Sequence, residues 1–269
     1  MTAAFDTVAA TYDAEFTRTR LGEWLRQGVW QVLGEVFRSG ERVLELGCGT
    51  GEDAVWLARR GVSVVATDQS AEMLKVAQEK ARRAGVAERI EFAQVDAAQL
   101  AGVPSPAAAR LDKTLPEGEV FDRALADFGV LNCVADRRRL GLALAERLRP
   151  GGTFVAVVMG PVCLWELAWY LVHGDLGRAT RRWRSGGLAL VGGERLPVWY
   201  PSPPRLRAEL MPRFALRRVV GLGALLPPSY LSHLVERWPA VFQKLATLDD
   251  KVPGGAWLAD HYVAVFERR

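Results

Sequence analysis

The stretch "VLELGCGTGEDAVWLARRGVSVVATDQS", Val43–Ser70, decides how the chain is read. An apolar run, Val43–Leu46, passes into Gly47, Gly49 and Gly51, each separated by one residue. A helix-like segment follows over 53–60, with Gly61 placed to end it, and a second apolar run over 62–68 closes on Asp68. Strand, glycine turn, helix and strand make a βαβ unit. Its glycines let the backbone turn tightly and approach a ligand where a side chain would collide. The helix after the turn aims free N–H groups and a positive dipole end at the same place. Asp68 is positioned to accept from the hydroxyls of a ribose. Dinucleotide sites use such an acid too, but their glycines run GxGxxG. Here the order is GxGxG preceded by Glu45, which suits a ligand with an ammonium group and no pyrophosphate.

Working outward, the alternation continues. A helix is expected over 71–84, a third strand "IEFAQVD" over 90–96, a fourth "FDRALAD" over 121–127, a helix over 137–148 and a fifth strand "GTFVAVVM" over 152–159. Two further strands, "ALRRVVGL" (215–222) and "HYVAVFER" (261–268), lie beyond long connections. Residues 5–37 read as helical. The Pro- and Ala-rich segment 102–118 reads as an exposed loop. The pattern predicts an α/β fold, a doubly wound, seven-stranded, mostly parallel sheet, with the last strand antiparallel at an edge and a ligand beyond the carboxyl ends of the first strands. Asp96, ending the third strand, then meets the exocyclic amine of an adenine, and the Ala97 N–H a ring nitrogen.

Composition narrows the function classes. The chain has 269 residues and a formal net charge of +4, too small an excess to argue for nucleic acid. Three scattered cysteines and three scattered histidines give neither a disulfide framework nor a metal-ligand spacing, so no metal and a reducing cytoplasm are expected. The N-terminus lacks the basic start and apolar run of a signal peptide. The stretch 154–172 is long enough to mimic a membrane span, but Gly160-Pro161 breaks it and Glu166 charges it, so a buried strand followed by an apolar helix is expected.

The segments "VLELGCGTG", "VVATDQSAEML", "EFAQVDAAQL", "FDRALADFGVLNCVAD" and "LRPGGTFVAVVM" together resemble the class I S-adenosylmethionine-dependent methyltransferases of small-molecule type, in order and spacing, over 42–159. The resemblance implies a Rossmann-like methyltransferase fold and S-adenosylmethionine as cofactor. It would set Glu45, Gly47, Cys48 and Gly49 by the methionine moiety, Asp68 on the ribose, Gln69 and Met73 against the adenine, Asp96 and Ala97 on its edge, and Asp127 and Phe128 beside the sulfonium. The opening "FDTVAATYD" resembles a lid, with Tyr12 closing the site. The implied organisation is a helical lid over 1–40, a core over 41–160 and 215–269, and a helical or loop substrate cap over 161–214.

The implied activity is methyl transfer by in-line displacement to a small, lipophilic or carboxylate- or hydroxyl-bearing metabolite. The acceptor atom and the general base are left open. The alternatives are methylation of RNA or protein, which lacks support in "DFGV" (127–130), and a non-catalytic cofactor-binding scaffold. Candidate substrate residues are His173 and Tyr200, with Tyr230 as a further loop aromatic. His261 is read as structural and Asn132-Cys133 as a turn. The cap's aromatics either line an acceptor pocket or pack its own core. The run "GRATRRWR", 177–184, is expected as a solvated face, with an anionic substrate, a membrane surface and RNA as the weaker readings of it.

Overall fold

The computed structural model describes residues 2–100, 119–184 and 186–269. The loop expected over 102–118 lies outside the described residues. The strands are β1 (Arg42–Leu46), β2 (Ser63–Asp68), β3 (Ile90–Gln94), β4 (Phe121–Ala126), β5 (Leu148–Met159), β6 (Gly187–Val191), β7 (Glu194–Val198), β8 (Phe214–Leu222) and β9 (His261–Arg268). Seven of them form one sheet in the order β3-β2-β1-β4-β5-β9-β8. Strands β1 to β5 pair in parallel, so the chain reverses direction across the sheet between β1 and β4, and a cleft opens at their carboxyl ends.

One placement differs from expectation. β9 is antiparallel, but it is not an edge strand: it inserts between β5 and β8, pairing Val157 with Val263 on one side and Val220 with Val263 on the other. Its composition explains why. His261 to Phe266 are all buried, and a strand apolar on both faces needs neighbours on both sides.

The same alternation sends side chains to two cores. Val43, Val64, Val155, Val157, Val263 and Val265 face one layer, and Leu44, Val65, Phe154, Ala156, Tyr262 and Phe266 face the other. The helices that cover these faces include α1 (Thr2–Val8), α2 (Arg20–Val36), α3 (Glu52–Arg59), α4 (Ala71–Arg83), α5 (Ala97–Leu100) and α6 (Arg137–Arg147). α2 buries Leu21, Leu25, Val29, Val32 and Leu33 at helical spacing and starts at Thr19, whose hydroxyl accepts from the Gly22 N–H at 3.0 Å.

The connection after β5 holds α7 (Leu164–Val172), α8 (Leu176–Ala179), the hairpin β6–β7 and α9 (Pro203–Leu210). The hairpin was not among the expected strands, although Gly192-Gly193 between two short runs in 187–198 was its available signal. After β8 come α10 (Ser232–Arg237), α11 (Pro239–Ala246) and α12 (Gly255–Leu258). Residues 154–172 do form a strand and a helix, yet α7 turns Glu166 inward and leaves Leu164, Leu171 and Val172 exposed. The cause is a pair of arginines. Arg181 donates to Glu166 at 2.6 and 2.9 Å, and Arg182 at 2.8 and 3.1 Å. Half of the expected solvated run is therefore directed inward, with Arg182 buried. Among the described residues no helix is long and apolar enough to cross a membrane.

Candidate functional site

The cleft at the carboxyl ends of β1 to β5 is a cavity of about 200 Å³. Gly47, Gly49, Asp68, Gln69, Met73, Asp96, Ala97, Phe128 and Tyr12 line it. Most residues named from the sequence thus meet at one place. The glycine loop leaves room on the cavity side: Gly49 has φ +52°, and a Cβ there would find open space within 4 Å. At Gly47 a Cβ would fall 2.3 Å from Val130 Cγ2, so the loop sits close against the turn after β4.

The polar end of the cavity is built from strand tips. Asp68 accepts from the backbone N–H groups of Gly49 at 2.8 Å and Ser70 at 2.9 Å. Burial pushes its carboxyl up to about 6, and the two N–H donors oppose that rise. Asp96 uses one oxygen to cap α5, accepting from the Ala98 N–H at 2.8 Å. Its other oxygen, Oδ2, is buried without a hydrogen-bond partner among the described residues, as is Oε1 of Gln69. Buried acceptors left open in this way are costly unless a ligand donor meets them.

The opposite end is apolar. Val130, Val134, Met159, Ala189, Val191, Leu196 and Val198 line it, the last four from the inward faces of β6 and β7. The roof over the cavity is shared by Phe5 and Tyr12 with that hairpin. Asp6 accepts from the Ser70 hydroxyl, and Asp13 accepts from the Thr50 hydroxyl at 2.6 Å and from Lys80 Nζ at 3.0 Å, so the first turns of the chain are held down at two points.

A smaller cavity of about 40 Å³ continues beneath Tyr12, bounded by Arg26, Cys48, Thr50, Asp53, Asp127 and Phe128. Arg26 is buried and bonded to Asp53, with Asp127 Oδ2 3.5 Å away; the Trp30 indole donates to Asp53 at 2.7 Å. Burial works against an ionised Asp53, but the guanidinium outweighs it and holds that carboxyl below its usual range. Asp127 goes the other way: burial, then the neighbouring Asp53 charge, raise it well above the ordinary value. The two neighbouring carboxyls are thus driven in opposite directions. Burial also pushes the Tyr12 phenol up to about 12, so it stays a neutral donor. Arg26 Nε has no hydrogen-bond partner among the described residues. Sequence reasoning missed Arg26 and Asp53; a charged residue on the apolar face of α2, between Leu25 and Val29, was the available signal.

Other named residues lie elsewhere. Glu45 lines neither cavity; it is fully buried, both carboxylate oxygens lack partners among the described residues, and burial raises its pKa well above normal. His173 is exposed at the end of α7, its Nδ1 2.7 Å from the Trp169 carbonyl, and does not reach the cleft. The helix-end geometry satisfies it locally. Tyr200 faces a separate arginine-lined cavity, because it follows Val198 by two residues after the strand has ended. Tyr230 stacks on Tyr170 outside both cavities of the cleft. Asn132 is a fully buried clamp within a short helical turn: its side chain bridges the backbone of Met159 at 2.9 and 3.0 Å and the Trp199 carbonyl at 2.6 Å.

The methyltransferase domain family matches residues 43–152. The chain is 33% identical to a demethylmenaquinone methyltransferase of Clavibacter sepedonicus over 58% of this chain and 56% of that protein. It spans between 30% and 56% of the length of the first curated relatives it matches. Among solved structures, the CcbJ methyltransferase of Streptomyces caelestis superposes with a TM-score of 0.60 at 17% identity, covering 99% of this chain and 98% of that one. An S-adenosylmethionine-dependent methyltransferase of Mesorhizobium loti gives 0.52 at 21% identity, covering 89% and 97%.

Proposed function

We propose, on the premise that residues 43–152 match the methyltransferase domain family, that the chain binds S-adenosylmethionine in the cleft and directs its methyl group to a small apolar acceptor under the β6–β7 hairpin. The carrying observation is the division of one cavity into an end with open buried acceptors and an end walled by aliphatic side chains.

The residues fit the cofactor on three counts. Asp96 Oδ2 and Gln69 Oε1 are buried acceptors with no partner among the described residues, which suits the adenine amine. Gly49 opens its Cβ side to the cavity, so the backbone can lie against the ligand, with Asp68 beside it for the ribose. Arg26 Nε, without a partner among the described residues, offers a donor to a carboxylate. When bound, the cofactor supplies a methyl group already made electrophilic by its sulfonium.

The protein's part is placement. Phe128, held at φ +24° between the two cavities, presents its ring where they meet, and Arg26 lies over that ring at 4.9 Å. The aliphatic wall keeps water from the acceptor and fixes its approach, and alignment of this kind is worth about 7–11 kcal/mol in favourable systems. The likeness to a demethylmenaquinone methyltransferase supports a lipophilic acceptor. The roof of Phe5, Tyr12 and the hairpin supports a lid that opens for exchange of both ligands, and with it the reading of the N-terminal segment as lid and of the post-β5 connection as cap.

Calorimetric titration with S-adenosylmethionine and S-adenosylhomocysteine, followed by incubation of labelled cofactor with apolar phenols, quinols and amines, tests this reading. Saturable binding with labelled product supports it. Binding without product from any acceptor favours a scaffold, and folded protein that binds neither nucleoside overturns it.

A further inference from the structure

A second cavity, of about 250 Å³, lies on the other side of the end of β7: Val198 faces the cleft, and Trp199 and Tyr200 face this one. Arg137, Arg182, Arg184 and Arg205 line it together with Trp183, Trp199, Tyr200 and Ser202, and among the described residues no acidic side chain lines it. The four arginines divide into two kinds. Arg137 and Arg182 form a rigid frame. Arg137 is spent on Glu209 at 2.6 and 3.1 Å and on the carbonyls of Leu131 and Val134. Arg182 is spent on Glu166, on Asp260 and on the Gly160 carbonyl, with the Tyr200 ring 5.2 Å from its guanidinium.

Arg184 and Arg205 are different. Arg184 is exposed and makes no ion pair among the described residues. Arg205 commits only Nε, to Glu209 at 3.0 Å, and its side chain is 62% exposed. Glu209 already serves Arg137, and Glu166 serves both Arg181 and Arg182. The carboxylates behind the wall are thus outnumbered, and the cavity carries a positive excess. Ser202, which precedes α9, makes no capping bond with its side chain, so its hydroxyl is a further donor at the positive end of that helix.

We infer that this cavity is a binding site for a small molecule carrying a phosphoryl group, held by Arg184, Arg205 and Ser202, with an attached ring against Trp183, Trp199 or Tyr200. Guanidinium forks match the oxygens of a phosphoryl group, and several donors around one point suit its three oxygens and double charge better than a planar carboxylate. The surrounding aromatic faces supply the apolar contact that a bare ion would not use. The site is separate from the cleft and does not depend on the methyl-transfer reading. It is nonetheless tied to it structurally, because Asn132 bonds both the Trp199 carbonyl of this wall and the backbone of Met159, which lines the cleft.

Phenyl phosphate is the probe, titrated calorimetrically into the full chain, with citrate and a single-stranded RNA oligonucleotide as comparison ligands. The expected result is one saturable site for phenyl phosphate that weakens at least about tenfold in Arg184→Ala and in Arg205→Ala, as loss of a charge-assisted contact implies. Unchanged thermal melting of the exposed Arg184→Ala variant separates lost binding from lost folding. Absence of saturable binding, binding unaltered in both variants, citrate binding as tightly as phenyl phosphate, or a preference for RNA with a steep salt dependence each overturns the assignment.

Discussion

The hydroxyl of Ser70 donates to Asp6 across 2.5 Å, while the same oxygen accepts from the Met73 backbone N–H at 3.1 Å. One atom therefore caps α4 beneath the cleft and anchors the helix that roofs it. Asp6→Ala removes the anchor and leaves the cap. Losing a net contribution of about 1 kcal/mol should speed dissociation of S-adenosylhomocysteine about fivefold in stopped-flow measurements. Ser70→Ala, which removes both bonds, should in addition lower the melting temperature.

The hairpin meets the same N-terminal helix at its tip. Gly192 has φ +55°, and a Cβ there would fall 2.1 Å from Thr7 Oγ1 and 2.4 Å from the Ala4 carbonyl oxygen. Gly192→Ala should therefore part the two halves of the roof, at a cost to global stability of about 1–2 kcal/mol, typical of a local strain. Limited proteolysis should cut the N-terminal segment faster in this variant. Equal rates with the parent would show that the contact does not hold the roof.

Asp68 gives cofactor affinity a pH dependence with a definite sign. Its folded-state carboxyl lies near 6, above its ordinary 3.8, so burying it ionised costs stability as pH rises through that window. A ribose hydroxyl needs the ionised form. Affinity for S-adenosylhomocysteine should be level above about pH 7 and fall below about pH 6, approaching tenfold per unit while the protein stays folded. Asp68→Asn should remove this dependence and bind more weakly at neutral pH. Calorimetry across pH 5–8 checks both outcomes.

The buried trio of Arg26, Asp53 and Asp127 predicts an asymmetric pair of mutants. Arg26→Met leaves the Asp53 carboxylate uncompensated and should cost about 3–5 kcal/mol in urea unfolding, as breaking a buried pair does. Asp127, whose carboxyl burial and the Asp53 charge push upward, should tolerate Asp127→Asn at under about 1 kcal/mol, since the amide keeps a donor and an acceptor in place. Comparable losses from the two changes would mean that Asp127 is ionised.

Much of the cleft was legible because its parts are local. Gly47, Gly49, Asp68, Asp96 and Phe128 each sit at or just past a strand end, and a period-two apolar run marks a strand wherever it lies in the fold. Arg26 was not legible, since a guanidinium inside an amphipathic helix looks like a surface charge until Asp53 is brought opposite it from 27 residues away. The pairing of Glu166 with Arg182 was hidden for the same reason.

The amino-acid order thus determined the strands, the glycine loop and the acids at the strand tips, because backbone geometry and side-chain alternation act over a few residues. Tertiary structure alone decided that β9 enters between β5 and β8, that a hairpin roofs the cleft, and that Tyr200 and His173 lie outside it. Those outcomes depend on which buried surfaces and charges meet across the fold, and contacts between distant residues leave no period in the chain that forms them.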